Sequence, residues 1–123
     1  MTSEATQRRR RRAWRRGRLA ESAAAFILRL KGFRILARGY KVPVGEIDII
    51  ARRGRLVAFV EVKSRASADA AAEALTWRQR RRIDRAARWF LAQHPDLAAC
   101  ELRYDLMLVT PWRMPVHIGD AWR

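Results

Sequence analysis

Apolar positions change their period along the chain, and each change marks an element. From Trp14 to Lys31 the residues Leu19, Ala23, Phe26, Ile27 and Leu30 recur at helical spacing, which predicts an amphipathic helix with that stripe turned inward. Gly32 stands where such a helix would end. Glu21 is off the stripe. On a helical wheel it falls with Ala25 and Leu28, an acid among apolar neighbours. Phe33 to Lys41 has the pattern of a strand, broken by Pro43. Gly45 to Arg52 and Arg55 to Ser64 are rich in Ile and Val and predict two more strands, joined at Arg53-Gly54. The small residues from Ala66 to Ala74 predict a loop or a short helix. Thr76 is placed as the N-cap of a long helix that Pro95 ends, with Ile83, Ala86, Ala87, Phe90 and Leu91 as its apolar stripe. Glu101 to Thr110 reads as another strand and Val116 to Ile118 as a short last one. The order α-β-β-β-α-β predicts an α/β fold, a mixed β-sheet flanked by helices.

A two-residue turn at Arg53-Gly54 would set Asp48 opposite Phe59 and Ile50 opposite Val57. Side chains alternate between the faces of a strand. One face then carries Ile47, Ile49, Ala51, Leu56, Ala58, Val60 and Val62, and is core. The other carries Ile50, Val57 and Phe59 near the turn, with Glu46, Asp48, Glu61 and Lys63 toward the far end. Unpaired carboxylates buried there would be costly. Diagonal neighbours such as Asp48 and Glu61 are close enough to converge on one divalent cation. A hard, oxygen-ligated ion suits them, Mg²⁺ with several retained waters. Lys63 points to the same side, where its ammonium could hold a phosphate or an attacking water. Alone, a Glu-Val-Lys triplet is usually a cross-strand ion pair. The informative feature is its conjunction with Asp48 on the adjoining strand. Register decides the matter, because a shift of one residue would turn Asp48 away from Glu61.

Charge narrows the partner. The 123 residues leave room for one domain, and 27 Lys+Arg against 12 Asp+Glu give +15. That excludes an acidic scaffold or an ordinary neutral metabolic enzyme. It favours a polyanion, nucleic acid first and an anionic membrane surface second. Residues 1–13, with Arg8 to Arg12 unbroken, are expected to be a disordered basic leader, either a solvated tail or a phosphate-binding arm, before a single domain over 14–123. Arg78, Arg81, Arg82, Arg85 and Arg88 on the second helix, with Arg65, form the candidate nucleic-acid surface. Trp112 and Trp122 lie in a polar stretch and are candidates for stacking on bases, whereas Trp77 and Trp89 are expected to pack. One cysteine, Cys100, excludes an internal disulfide framework and a Cys-rich zinc module and fits a reducing cytoplasm. Asp105 reads as a structural hydrogen-bonding residue, and His94 and His117 receive no role. No apolar run reaches the roughly 18 residues of a membrane span, and no apolar segment follows the arginine block as a secretory signal requires.

Asp48, then Glu61-Val62-Lys63 on the next strand, after a helix bearing Glu21, resembles the PD-(D/E)xK nuclease superfamily. More narrowly, the chain resembles the YraN family of small bacterial proteins from about Gly17 to Asp105. The specific parts are Ala20-Glu21, Gly32-Phe33-Arg34-Ile35-Leu36-Ala37-Arg38, Gly45-Glu46-Ile47-Asp48 and Phe59-Val60-Glu61-Val62-Lys63-Ser64-Arg65. In size and motif order it is also similar to archaeal Holliday junction resolvases. The resemblance implies a restriction-endonuclease-like core and an endonuclease hydrolysing phosphodiester bonds in DNA, branched or junction DNA included, for which a homodimer would be suited. It implies Asp48 and Glu61 as ligands of Mg²⁺ or Mn²⁺, Lys63 as the catalytic lysine and Glu21 as a supporting acid. Two positions depart from the pattern: Ile47 stands where the superfamily has Pro, and Gln79 where YraN-like chains often carry Lys. The competing expectation is a non-catalytic nucleic-acid-binding module that keeps the fold. A protein-interaction domain is a third, which the basic charge disfavours.

Overall fold

Caps and glycines set the ends of the elements. The computed structural model describes residues 3–66 and 75–122, the side chains of 12–16 aside. Its elements are α1 (Glu4–Leu30), β1 (Arg34–Val42), β2 (Gly45–Arg53), β3 (Leu56–Ser64), α2 (Trp77–Gln93), one 3₁₀ turn (Pro95–Leu97), β4 (Glu101–Val109) and β5 (Val116–Trp122). The five strands form one sheet in the order β1-β2-β3-β4-β5. Neighbours are antiparallel except β3 and β4, whose parallel pairing requires the crossover that α2 supplies. This is the mixed, helix-flanked sheet that the pattern predicts. The loop or short helix expected after Arg65 lies, Ala66 excepted, outside the described residues.

Helix α1 starts at Glu4, so the segment expected to be a disordered leader is helical from that point. The Ser3 side chain accepts the Thr6 N–H at 3.2 Å, and Glu4 pairs with Arg8 at 3.6 Å. Arginine is a good helix former. The packed second half of α1 also provides the nucleus that a free segment of this length lacks. At the other end Gly32, at φ +88°, closes a Schellman motif: its N–H donates to Arg29 O and that of Phe33 to Leu28 O, both at 3.0 Å. For α2, Thr76 and Gln79 form a reciprocal capping box, each side chain accepting the other's backbone N–H at 3.2 Å. Gln79 therefore has a structural role.

The buried face of α1 differs from the expected stripe. Ala20, Ala24, Ala25, Ile27 and Leu28 are buried, whereas Leu19, Phe26 and Leu30 are more than half exposed. The alanines let the helix lie close to the sheet, over Ile49, Ala51, Ala58, Val60 and Met107. The opposite face packs under α2, where Ile83, Ala86, Ala87 and Phe90 meet Ile50, Val57, Phe59, Leu106 and Leu108. Each large apolar side chain so buried stabilises the fold by roughly 1.5–3 kcal/mol.

The β2–β3 hairpin pairs Arg53 with Leu56, Ile50 with Phe59 and Ile49 with Val60. The turn is therefore Gly54-Arg55, not Arg53-Gly54, with Gly54 at φ +60°, at the position where two-residue hairpins favour glycine. The register moves by two residues, and an even shift leaves the faces as expected. One residue does change sides. Ile49 packs under α1, but Ile47 packs under α2, so the alternation breaks across Asp48. On β1 the break falls at Gly39, which lies between the pairs Arg38–Ile49 and Tyr40–Ile47 at φ +59°.

Candidate active site

Beyond Ile49 and Val60 the β2–β3 ladder stops, and the Asp48 side chain takes over a backbone partner. Its Oδ2 accepts the Val62 N–H at 2.8 Å. The Asp48 and Glu61 carboxyls lie within hydrogen-bonding reach of each other. Lys63 Nζ lies 3.3 Å from Glu61 Oε1, and the two side chains are only 7% and 13% exposed. Burial is the chief cause lifting Asp48 above the ordinary carboxylate range; the Val62 N–H and the Glu61 hydroxyl hold it down, and the charge of Glu21 pushes it up. Glu61 is pushed up to about 8, by burial first and the Asp48 charge second, with Lys63 opposing. Burial and the closeness of the two carboxyls thus both favour proton uptake by the pair, and Lys63 opposes it.

The pair opens onto a cleft of about 830 Å³. Helix α1 gives the cleft Arg18 and Glu21, the strands give Asp48 and Lys63, Arg65 follows β3, and Pro111 comes from the β4–β5 turn. Glu61 lies behind this wall, touching Asp48 and Lys63. Glu21 is steered by β1: Arg38 Nε donates to its Oε1 at 3.1 Å, and Arg38 Nη2 to Ser22 Oγ at 2.9 Å. Half-exposed Glu46 sits at the rim, 4.0 Å from both Lys41 and Arg82.

The four acidic and lysine residues singled out from the sequence, Glu21, Asp48, Glu61 and Lys63, are thus brought to one end of the sheet. The arginines divide. Arg65 lines the cleft and Arg82 reaches its rim through Glu46. Arg78, Arg81, Arg85 and Arg88 are exposed on α2, across the sheet from α1 and off the cleft wall. There Arg81 covers the Trp77 ring at 4.8 Å and Arg88 pairs with Asp84 at 3.1 Å. Sequence reasoning missed Arg18, Arg38 and Pro111. The first was legible, since it precedes Glu21 by three positions on one helix face. Pro111 had no signal, because its approach depends on β3 lying beside β4.

A second polar cluster lies away from the cleft. Asp105 is fully buried and accepts from Arg103 Nε and Nη2 at 2.7 and 2.8 Å and from the Asp120 N–H at 3.1 Å. His117 Nε2 lies 2.7 Å from it, and Lys31 Nζ lies 3.0 Å from His117 Nδ1. Burial alone would raise the Asp105 carboxyl, but the bonds from His117, Arg103 and the backbone hold it down at about 2. Asp105 is the hydrogen-bonding residue expected. His117 has a partner that no sequence spacing reveals.

The donor set decides which ion fits the cleft. Among the described residues no three carboxylates, imidazoles or thiols gather as ligands. Zinc asks for three or four nitrogen and sulfur ligands and does not fit. Two touching carboxylates fit Mg²⁺, which binds one or two carboxylates and keeps its waters.

Fold and site define a small mixed α/β domain with a largely buried Asp–Glu–Lys set at a cleft whose lining mixes three acidic with three basic side chains. The chain belongs to the UPF0102 family: the model of this uncharacterised protein family matches residues 20–109, a span that includes Glu21, Asp48, Glu61 and Lys63. This is the YraN-like family the motifs indicate. The chain is 57% identical to a UPF0102 protein of Paramagnetospirillum magneticum over 100% of its own length and 98% of the relative's. It is 53% identical to one of Parvibaculum lavamentivorans, covering 90% and 84%, and 56% identical to one of Bradyrhizobium diazoefficiens, covering 89% and 83%. No helix among the described residues is long and apolar enough to cross a membrane.

Proposed function

We propose that this UPF0102 protein is a divalent-cation-dependent nuclease acting on DNA, with a restriction-endonuclease-like site. The observation that carries the reading is the contact of Asp48 with Glu61, 3.3 Å from a buried Lys63, on a cleft walled by Arg18 and Arg65. Asp48 and Glu61 would hold Mg²⁺ or Mn²⁺. When bound, the ion supplies Lewis-acid stabilisation and a more acidic water. To hold the ion both carboxyls would have to be ionised, which burial opposes in its absence. Lys63, shielded from solvent, holds its charge where a scissile phosphate or nucleophile would sit. Glu21, steered by Arg38, offers an acceptor from the α1 wall. Arg18 and Arg65 would meet backbone phosphates in the cleft and Arg82 at its rim, while Arg78, Arg81, Arg85 and Arg88 offer a separate basic face on α2; such contacts read no sequence. The single cysteine, Cys100, suits the cytoplasm, where such a substrate resides.

The test is a panel of single strands, flaps, duplexes and four-way junctions, each with Mg²⁺ and Mn²⁺. Wild type cuts at least one. Lys63→Met, which keeps the apolar stem, lowers that rate by about 10²–10³-fold with little change in DNA affinity. Binding to DNA weakens with salt, log affinity falling against log salt by about 0.9 per phosphate neutralised. A wild type that binds tightly with this salt dependence and cuts nothing replaces the enzyme by a non-catalytic binding module.

A further inference from the structure

We propose that Trp112 is a stacking platform for an unpaired DNA base beside the cleft. The proposal rests on the nucleic-acid part of the preceding reading and adds its substrate class. Trp112 sits in the β4–β5 turn, between Val109 and Val116. It is fully exposed, at φ +63°, a left-handed conformation that bulky residues rarely adopt. Gly, Asn or Asp would take that position more easily. Pro111 and Pro115 bracket the turn with fixed φ angles. The turn thus presents a large indole, whose burial would be favourable, wholly to water.

The turn's position is tied to the site. Ser64 pairs with Val109 in the parallel ladder, and the Arg65 N–H donates to Val109 O at 3.2 Å. Pro111, the residue before Trp112, lines the cleft with Lys63 and Arg65. Consecutive Cα atoms are about 3.8 Å apart, so the Trp112 backbone adjoins the cleft wall while its indole extends into solvent. Arg113, also exposed, follows it. An aromatic plane beside arginines meets both parts of a nucleotide, the base by stacking and the phosphate by charge. Bases inside a duplex have their faces covered, so such a platform selects an unpaired or extruded base. Two of the other tryptophans are engaged by neighbours. Trp122 is buried against Tyr104, ring centroids 5.3 Å apart, and Trp77 lies under Arg81.

Binding is read with the full chain in EDTA, so that no cleavage intervenes, on single-stranded, flap and fully paired DNA of one sequence. Trp112→Ala weakens binding to the single strand and flap by roughly 10- to 100-fold, the scale of one lost base stack, and leaves duplex affinity within about twofold. Trp112→Phe, which keeps a ring, retains most of the difference. Both variants melt like wild type, because nothing packs on the indole. Equal losses on all three DNAs, or no loss on any, overturn the proposal; the second result leaves the surface to a protein partner. The outcome is independent of turnover. A protein that discriminates through Trp112 but cuts nothing loses the nuclease reading alone. One that cuts but is indifferent to Trp112 loses this proposal alone.

Discussion

Replacing Asp48 by Asn should stabilise the metal-free protein at alkaline pH and remove its response to Mg²⁺. Glu61 has a carboxyl at about 8 against an ordinary 4.5. The folded chain therefore holds a proton that the unfolded chain has released. Stability from this group is fully present below pH 4.5 and is lost as pH rises toward 8. At about 1.4 kcal/mol per pH unit, the whole effect is on the order of 5 kcal/mol. Burial accounts for the largest part and the Asp48 charge for the next. Removing that charge should return on the order of 1–2 kcal/mol at pH 8.5, a rise in Tm of about 4–8 °C. Asn keeps an oxygen for the Val62 N–H, so no backbone partner is lost. At pH 5.5, where the wild-type Glu61 carboxyl lies well below its titration range, the gain should be smaller. The assay is thermal melting by circular dichroism at both pH values, in EDTA and in Mg²⁺. Wild type should gain stability with added metal as RT ln(1 + [Mg²⁺]/Kd), and Asp48→Asn should not. A lower Tm for the variant at both pH values would refute the reasoning and make Asp48 a structural ion-pair partner.

Three further substitutions test the frame around the site. A Cβ on Gly45 would stand 1.9 Å from the Arg82 carbonyl oxygen, so Gly45→Ala should lose at least about 1–3 kcal/mol in urea unfolding; unchanged stability would disprove the close seating of α2 on β2. Leu28→Ala should lose about 2–5 kcal/mol and Leu19→Ala less than about 0.5 kcal/mol, and the reverse order would restore the stripe read from periodicity. Asp105→Ala should lose about 3–5 kcal/mol, since it strands buried partners of a charge. The same carboxyl contributes stability that is full above pH 3.8 and lost as pH falls to about 2, visible as a wild-type acid transition that the variant lacks.

Local chemistry made much of this protein legible from its residues. The strand spans follow runs of Ile and Val. The ends of both helices follow caps whose action is confined to a few neighbouring residues, Gly32 in one case and Thr76 with Gln79 in the other. Asp48, Glu61 and Lys63 were recognisable from their spacing on two strands joined by a tight turn, where an even error in register does not alter sidedness, although the alternation itself breaks at Asp48. The net charge needed no structure at all.

Tertiary contact decided the rest. Helix α1 carries two overlapping apolar stripes, and only packing against the sheet selects the one with Ala20, Ala24, Ala25 and Leu28. The break at Asp48 is a bargain between distant atoms: its carboxylate replaces a ladder partner for Val62, while Gly39 takes the left-handed turn on the neighbouring strand. The carboxylate–imidazole contact of Asp105 and His117 exists because β5 pairs with β4, and Pro111 reaches the cleft because β3 and β4 run parallel across a helical crossover. Residues far apart in the chain become neighbours only when strands choose partners. Periodicity states which way a side chain points, and packing alone states what it meets there.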